Sequence, residues 1–521
     1  MAWDGVQTIE ILMGREGIFV KRNTDLVPLG AFRMLRNATL EDDSVRTGAG
    51  AVQLGDAIGS VTVNAAIDYF PALGTQRTVV MLSDGTLRKD NGAGASWATL
   101  ASALTTTGAV PHFTLGGIEL AGRSQKLFYC DRVNAVQVLA ADGGSTAALA
   151  NPPADWSGAN QPGFLFPHSR FLWGGGNANA SKTLYRSIGD DHEQFLQFPY
   201  FLQISGEYER LVAGLSFKGG ALVFGYPEGA WFINTANPAE NAWRPERVSR
   251  AGCAGPWNVT LAEDDVLWVS PDGSWHAISA TEAQGSARAT DLAYRKLGSF
   301  VPDRLNLAQL ATAQLVWHAQ KQIAMLAAHG AGVTLKNRRI DFDLRRRQDS
   351  GERWVFWDRD RNEALFMRKK NEVLIPAFGD AAGTIWELDQ ASRNVGGTAY
   401  TFEWELNDTD FAQVVPGWSG RKKNGRFIQL VHDPRQAATH TVEAFRDGAK
   451  TQTIQFSLSG AGSAVLPAVL PVALAAGATM KATTRRRLLG QAIRWGFRGY
   501  SSGINADVSV TKLILGLELA A

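Results

Sequence analysis

Apolar runs broken by polar turns set the texture of this chain. Val79-Val80-Met81-Leu82 leads into Ser83-Asp84-Gly85-Thr86, and Val266-Leu267-Trp268-Val269 leads into Ser270-Pro271-Asp272-Gly273-Ser274. Between them, Leu127-Phe128-Tyr129-Cys130 ends at Asp131, and Leu222-Val223-Phe224-Gly225-Tyr226 ends at Pro227. β-branched and aromatic residues bounded by Asp, Pro and Gly read as strands joined by tight turns. The turn markers recur at a steady interval: Asp84 and Asp131 are 47 residues apart, Pro227 and Asp272 are 45, and the 96 residues from Asp131 to Pro227 hold two units. The marker missing from that double interval falls in Phe171-Leu172-Trp173-Gly174-Gly175-Gly176-Asn177, a strand running into a loose turn before Thr183-Leu184-Tyr185-Arg186. A strand-turn-strand unit repeated at this period predicts β-propeller blades.

Further units at residues 314–326, 354–367 and 379–388 bring the expected count to six to eight blades, with seven the central value. The predicted organisation is all-β: an irregular N-terminal arm over residues 1–60, a β-propeller over 61–395 and a C-terminal β-sandwich over 396–521. The sandwich is read from period-two alternation in Thr401-Phe402-Glu403-Trp404-Glu405-Leu406, from Phe427-Ile428-Gln429-Leu430-Val431, and from Phe445-Arg446-Asp447-Gly448 with its hairpin signal. Residues 336–353 break the blade rhythm with Arg338-Arg339 and Arg345-Arg346-Arg347. So dense a charge run is expected to be a solvated loop, with an acidic partner surface as the functional alternative.

Composition narrows the classes. The 521 residues exceed one comfortable core, so more than one unit is expected. With 54 Gly and 16 Trp against 7 Met, the chain suits many short strands with aromatic packing between sheets. Net charge is only +2, which gives no global nucleic-acid signature, but it is uneven: residues 396–521 hold 14 Lys+Arg against 9 Asp+Glu, and residues 1–395 hold 38 against 41. Cys130 and Cys253 are too few to staple the chain and are expected to be free, as in a reducing compartment. The opening residues lack a charged n-region followed by an apolar stretch, and the longest small-apolar run, residues 464–476, is interrupted by Pro467 and Pro471. No membrane-spanning segment is expected.

Chemistry-bearing motifs are sparse. The eight histidines show no zinc-ligand spacing, and the pair that a hairpin could bring together, His432 and His440, reads as ordinary surface histidine. Gly189-Asp190-Asp191-His192-Glu193 groups carboxylates without a calcium-loop ladder. Gly174-Gly175-Gly176 precedes no helix pattern and reads as a flexible turn rather than a phosphate cradle. The sequence therefore nominates no catalytic, cofactor-binding or metal-binding residue. One enzymatic lead stands: Ser270-Pro271-Asp272-Gly273-Ser274-Trp275 resembles the Asp-box of sialidase-like propellers, with a shortened Asp-to-Trp spacing. With the abundant Trp, it supports the alternative of a glycan-binding or glycan-cleaving propeller, although Asp-boxes are structural turns.

Several phrases resemble one family. Leu184-Tyr185-Arg186-Ser187-Ile188-Gly189-Asp190, Leu211-Val212-Ala213-Gly214-Leu215, Gly229-Ala230-Trp231-Phe232-Ile233 and Arg247-Val248-Ser249-Arg250-Ala251-Gly252-Cys253 are similar to tail proteins of double-stranded DNA phages. Asn37 followed by Val45-Arg46-Thr47-Gly48 resembles their opening segment. The likeness is to the tail nozzle, or tail tubular (hub) protein, of short-tailed phages. It implies a non-enzymatic structural protein of the virion tail, made in the host cytoplasm. It also implies a homo-oligomer, a hexameric ring below the adaptor or connector protein, that passes double-stranded DNA non-specifically and carries fibres or spikes. On that reading the basic clusters Arg421-Lys422-Lys423 and Arg485-Arg486-Arg487 face acidic neighbours in the ring, or else solvent.

Overall fold

Blade formation follows directly from the repeating hairpins. The computed structural model describes residues 6–520 except 21–26, 42–43, 73, 93–95, 120–123, 196–200, 238–241, 280–290, 299, 346–352, 359–362, 390–391, 434, 459, 461–479 and 504–505. Blade 1 is the antiparallel sheet Val63–Ala72, Thr75–Leu82, Leu87–Asp90 and Trp97–Ala101. Blades 2, 3 and 4 repeat the meander, starting at His112–Glu119, Phe164–His168 and Arg210–Phe217. Blade 5 has three strands, Val259–Ala262, Asp265–Val269 and Trp275–Ala277. Blade 6 runs Gln314–His318, Ile323–Ala328, Arg338–Asp343 and Arg353–Asp358; blade 7 runs Ala364–Lys370, Val373–Gly379 and Ile385–Asp389. The first strand of each blade packs against the first strand of the next, and that of blade 7 packs against that of blade 1, which closes a propeller ring. Six of these sheets stand alone, whereas blade 6 is one end of a nine-stranded sheet.

That long sheet joins the two halves of the molecule. From Arg353–Asp358 it continues through Phe32–Arg36, Phe402–Leu406, Trp495–Ser501, Ala438–Arg446 and Ala449–Leu458, crossing over at the parallel pair Arg36 and Phe356. The last five strands form one layer of a sandwich. The other layer centres on Lys423–His432 paired with Ser509–Leu519, flanked by Gln7–Leu12, Ala38–Leu40 and Val45–Thr47. Alternate residues Leu513, Leu515 and Leu517 meet Trp404, Trp495 and Phe497 in a core with no solvent exposure to speak of. Burial of such side chains, roughly 2 kcal/mol each, is what fixes the register.

The N-terminal segment is not an irregular arm. It supplies four strands to the sandwich, and its fifth, Gly50–Gln53, is the outermost strand of blade 7. The propeller ring is thus closed by a strand from the start of the chain. These strands are three to six residues long, too short for alternation to stand out in sequence, and their partners lie hundreds of residues away.

The charge run of residues 336–353 also departs from expectation, because its described part is a buried strand rather than a solvated loop. Arg339 is 1% exposed, grips Asp341 two residues on by two hydrogen bonds of 2.8 and 3.0 Å, and lies 4.1 Å from the ring centre of Trp357. Arg353, with no exposure, donates to Asp343 at 2.8 Å and to the Gly14 carbonyl at 2.9 Å. Alternating opposite charges on one strand face neutralise each other, which lets them enter the core. Arg346 and Arg347 lie outside the described residues, as do residues 464–476. Gly174 and Gly175 belong to a strand, and a Cβ on Gly174 would meet Leu165 Cδ2 at 2.4 Å, so close packing, not flexibility, requires glycine there.

Candidate functional site

The recurring turns all connect the second and third strands of their blades, and these connections emerge on the face where each blade's first strand begins. Asp84 Oδ1 accepts from the Thr86 N–H at 3.0 Å, Asp131 Oδ1 from Val133 at 2.9 Å, Asp272 Oδ1 from Ser274 at 3.0 Å, and Asp380 Oδ1 from Ala382 at 2.9 Å. Each carboxylate caps its own turn two residues on, the local bond that favours Asp in such corners.

Blade 6 breaks this pattern. Its corresponding connection, residues 329–337, is long and folds inward over the mouth of the central channel. There His329, Thr334, Leu335 and Lys336 line a cavity of about 290 Å³ together with Asn64, Thr312, Gln314, Glu363 and Trp257. Lys336 Nζ donates to the Glu363 carbonyl at 2.6 Å and to the Asn64 carbonyl at 3.3 Å, while its backbone N–H donates to Glu363 Oε1 at 2.9 Å. Gln314 Oε1 accepts from the Leu365 N–H at 2.5 Å. One lysine therefore ties the blade 6 loop to blades 7 and 1. Burial pulls the Lys336 ammonium down to about 8 against the opposing charge of Glu363, and burial raises the Glu363 carboxyl against the pull of Lys336. Burial, then the Lys336 charge, holds His329 at about 4, neutral near pH 7, with its Nε2 3.0 Å from Thr312 Oγ1. The lysine has three donors and uses two on backbone carbonyls. What the arrangement does chemically is staple the blade 6 loop to blades 7 and 1 beside an open cavity.

The sequence brought none of these residues together, although Lys336 opens the charge run 336–353 and Gln314 opens the unit 314–326. Their trace is negative: Gly330 and Gly332 stand where blades 1, 2, 5 and 7 carry a turn with a capping aspartate.

The turn at Ser270-Pro271-Asp272-Gly273 borders an open groove of about 710 Å³ with Glu228, Arg250 and His276. Ser274 Oγ donates to Asp272 Oδ1 at 2.5 Å and sits 2.9 Å from His276 Nε2. The hydroxyl stands between carboxylate and imidazole, whereas an activated serine needs the imidazole in the middle. Trp275 has no exposure and packs edge-on against Trp354, with ring centres 5.2 Å apart, so its face is closed to a sugar.

The remaining candidates resolve as follows. His440 is fully buried, with Nδ1 2.8 Å from Ser501 Oγ and Nε2 accepting from the Trp404 indole N–H at 3.1 Å, while His432 Nδ1 lies 3.1 Å from the Asp433 carbonyl. Both are buried rather than surface histidines. In the Gly189-Asp190-Asp191-His192-Glu193 turn, Asp191 Oδ1 accepts from the Glu193 N–H and Glu193 pairs with Lys126 at 2.6 Å. Cys130 and Cys253 are free and buried. Of the two basic clusters, Arg486 and Arg487 pair with the strand Lys423–His432, and Arg421 and Lys422 lead into it. Lys423 itself turns inward and donates to the Ile493 carbonyl at 2.8 Å, while Arg421, Lys422 and Arg485-Arg486-Arg487 are exposed.

No family model matches the sequence, and no curated protein matches it. Similar solved structures include YCF48 from Cyanidioschyzon merolae, at 9% identity and TM-score 0.39 over 66% of this chain and 99% of that one. The computationally designed protein Ika8 is similar at 11% identity and TM-score 0.37, over 65% and 99%. BBS1N in its complex with ARL6DN is similar at 11% identity and TM-score 0.40, over 66% and 99%.

Proposed function

We propose that this chain is a structural subunit of a virion tail: a nozzle or hub protein that assembles into a hexameric ring. In this reading the ring forms part of the DNA-ejection channel, seats against an adaptor or connector protein and bears fibres or spikes. The observation that carries the reading is the nine-stranded sheet running from blade 6 into the sandwich, with the N-terminal strands stitched into both units. A ring wall needs subunits whose parts do not hinge, and shared strands make bending between the units cost backbone hydrogen bonds. The phage-like phrases from Leu184 to Cys253 lie in blades 3 and 4 and the connection into blade 5, and the one from Asn37 to Gly48 lies among the sandwich strands. Charge is consistent with passage of duplex DNA without gripping it, since a net charge of +2 adds little salt-dependent affinity. Sequencing of the genes that flank this one tests the class: portal, terminase and capsid genes are expected, and their absence would contradict it.

A second reading, a glycan-binding or glycan-cleaving propeller, is favoured by the open groove beside Asp272 and His276. A glycan array and a fluorogenic glycoside screen separate the two, because the structural reading expects neither binding nor turnover.

A further inference from the structure

Two tight hairpins meet where blades 3 and 4 adjoin, on the face opposite the aspartate turns. In blade 3 Ser169-Arg170 joins His168 to Phe171, and in blade 4 Lys218-Gly219 joins Phe217 to Gly220. Two-residue loops of this kind fix the register of their strands. Three side chains come together there. His168 ends the first strand of blade 3, Ser216 lies near the end of the first strand of blade 4, and Thr235 stands just past the third strand of blade 4. His168 is 3% exposed, whereas Ser216 is open to solvent.

The imidazole stands in the middle. Its Nδ1 is 2.8 Å from Ser216 Oγ, and its Nε2 is 2.6 Å from Thr235 Oγ1 and 3.3 Å from Ser169 Oγ. Thr235 decides where the protons are. Its hydroxyl donates to the Gly219 carbonyl at 3.0 Å, and a hydroxyl has one proton to give. Toward the ring it therefore accepts, so Nε2 carries the imidazole proton. Burial lowers the pKa of His168 from its ordinary value, which keeps the ring neutral near pH 7 and leaves a lone pair on Nδ1. Ser216 accordingly donates to Nδ1, the hydrogen bond through which a base takes a serine proton. Ser274 lacks this order, because there the hydroxyl lies between carboxylate and imidazole. The Thr235 hydroxyl orients the ring as the third member of a triad does, but it brings no charge to stabilise an imidazolium. The arrangement suits one acyl transfer to the serine rather than rapid turnover.

We propose that Ser216 is a nucleophile activated by His168, with Thr235 as the positioning residue, and that it takes the acyl group of a small activated carboxylic ester. Ser216 Oγ bonds to the acyl carbon, the bond from that carbon to the ester oxygen breaks, and the serine proton passes through His168 Nδ1 to the departing alcohol. The site stands independently of the ring reading. Treatment of the full chain with p-nitrophenyl acetate, followed by peptide mapping, tests it. One acetyl group is expected on Ser216, formed faster in the folded chain than in urea, where serine and imidazole are apart. Ser216→Ala should abolish it. His168→Gln should slow it roughly a hundredfold, the scale on which a positioned base acts. Thr235→Val should also slow it, and Thr235→Ser should restore the rate, which a role in packing alone would not allow. A Ser216 rate in the folded chain no greater than in urea would overturn the inference. So would equal rates in the wild type and folded His168→Gln. Acetylation of Ser169 in place of Ser216 would mean that Nδ1 carries the proton, and would overturn it as well.

Discussion

Arg46 and Asp507 meet through two parallel hydrogen bonds, Nε to Oδ1 at 2.7 Å and Nη2 to Oδ2 at 2.5 Å, although 461 residues separate them. Arg393, just after the last strand of blade 7, reaches the same carboxylate at 3.1 Å, and Arg46 also holds Glu41 at 2.8 Å. One aspartate near the C-terminus thus binds the N-terminal strands to the propeller side of the junction.

Removal of Arg46 should loosen this junction. Arg46→Ala is expected to cost about 2 kcal/mol, the usual scale for hydrogen bonds to a charged group, because Arg393 keeps part of the interaction. Burial alone would raise the Asp507 carboxyl, but the hydrogen bonds and charges of Arg46 and Arg393 outweigh it and hold it below the ordinary value. For a depressed carboxylate the stabilisation is complete above the unfolded value of about 4 and fades as pH falls through the folded one. Urea denaturation should show a smaller acid-induced loss below pH 4 in the variant than in the wild type. Identical curves would contradict the assignment.

The capping aspartates should differ in worth according to burial. Asp380 is 5% exposed and accepts from Ala382 N–H, Thr384 N–H and the Trp386 indole at 2.8 to 2.9 Å, whereas Asp84 is exposed and caps only Thr86. Asp380→Ala is expected to cost about 3 kcal/mol, since it strands buried donors, and Asp84→Ala about 1 kcal/mol. Equal costs, measured by thermal or urea unfolding, would count against turns that act through architecture alone.

Lys336→Met should free the loop over the channel mouth. The change removes the ammonium that the Glu363 and Asn64 carbonyls accept from, while the backbone N–H bond to the Glu363 carboxylate remains, for an expected loss of about 2 kcal/mol and faster proteolysis within residues 329–337. The wild type should also gain stability between pH 8 and about 10.4. In that window the unfolded lysine holds a proton that the folded one, at about 8, has released, so stability rises with pH. The variant should lose this gain; a loop equally resistant to protease in both proteins would refute the staple.

His440 provides an acid-sensitive point in the sandwich core. Burial holds its imidazole at about 3, and a proton on Nε2 would remove the acceptor of the Trp404 indole. The unfolded state takes up that proton near pH 6.5 and the folded state resists it, so stability falls as pH drops from 6.5 towards 3. His440→Gln should flatten this slope, read from tryptophan fluorescence in urea titrations at stepped pH. An unchanged slope would place the acid sensitivity elsewhere, for instance at His112, His318 or His329, which burial lowers in the same way.

How much of this was legible beforehand depends on the range of the interaction. The hairpin corners at Asp84, Asp131, Pro227 and Asp272 were legible because turn chemistry is local: the carboxylate or proline acts within a few residues of itself. Phe402, Trp404 and Leu406 were legible through their alternation along one strand. The partner of Gly50–Gln53 was not, since nothing in four residues specifies a strand more than 330 positions away. Arg339 and Asp341 misled for a related reason. Charge density reads as solvation unless the pairing across a strand face is known, and sequence does not give the face. The channel-mouth residues Lys336, Glu363 and Asn64 come from three blades and meet only when the ring closes.

The proposed function turns on assembly into a ring. Electron microscopy of the purified chain, alone and with the proposed adaptor, tests it. Closed rings of six subunits are expected, each a propeller with its sandwich fixed in one orientation. Persistent single particles, or subunits whose sandwich swings freely against the propeller, would contradict it.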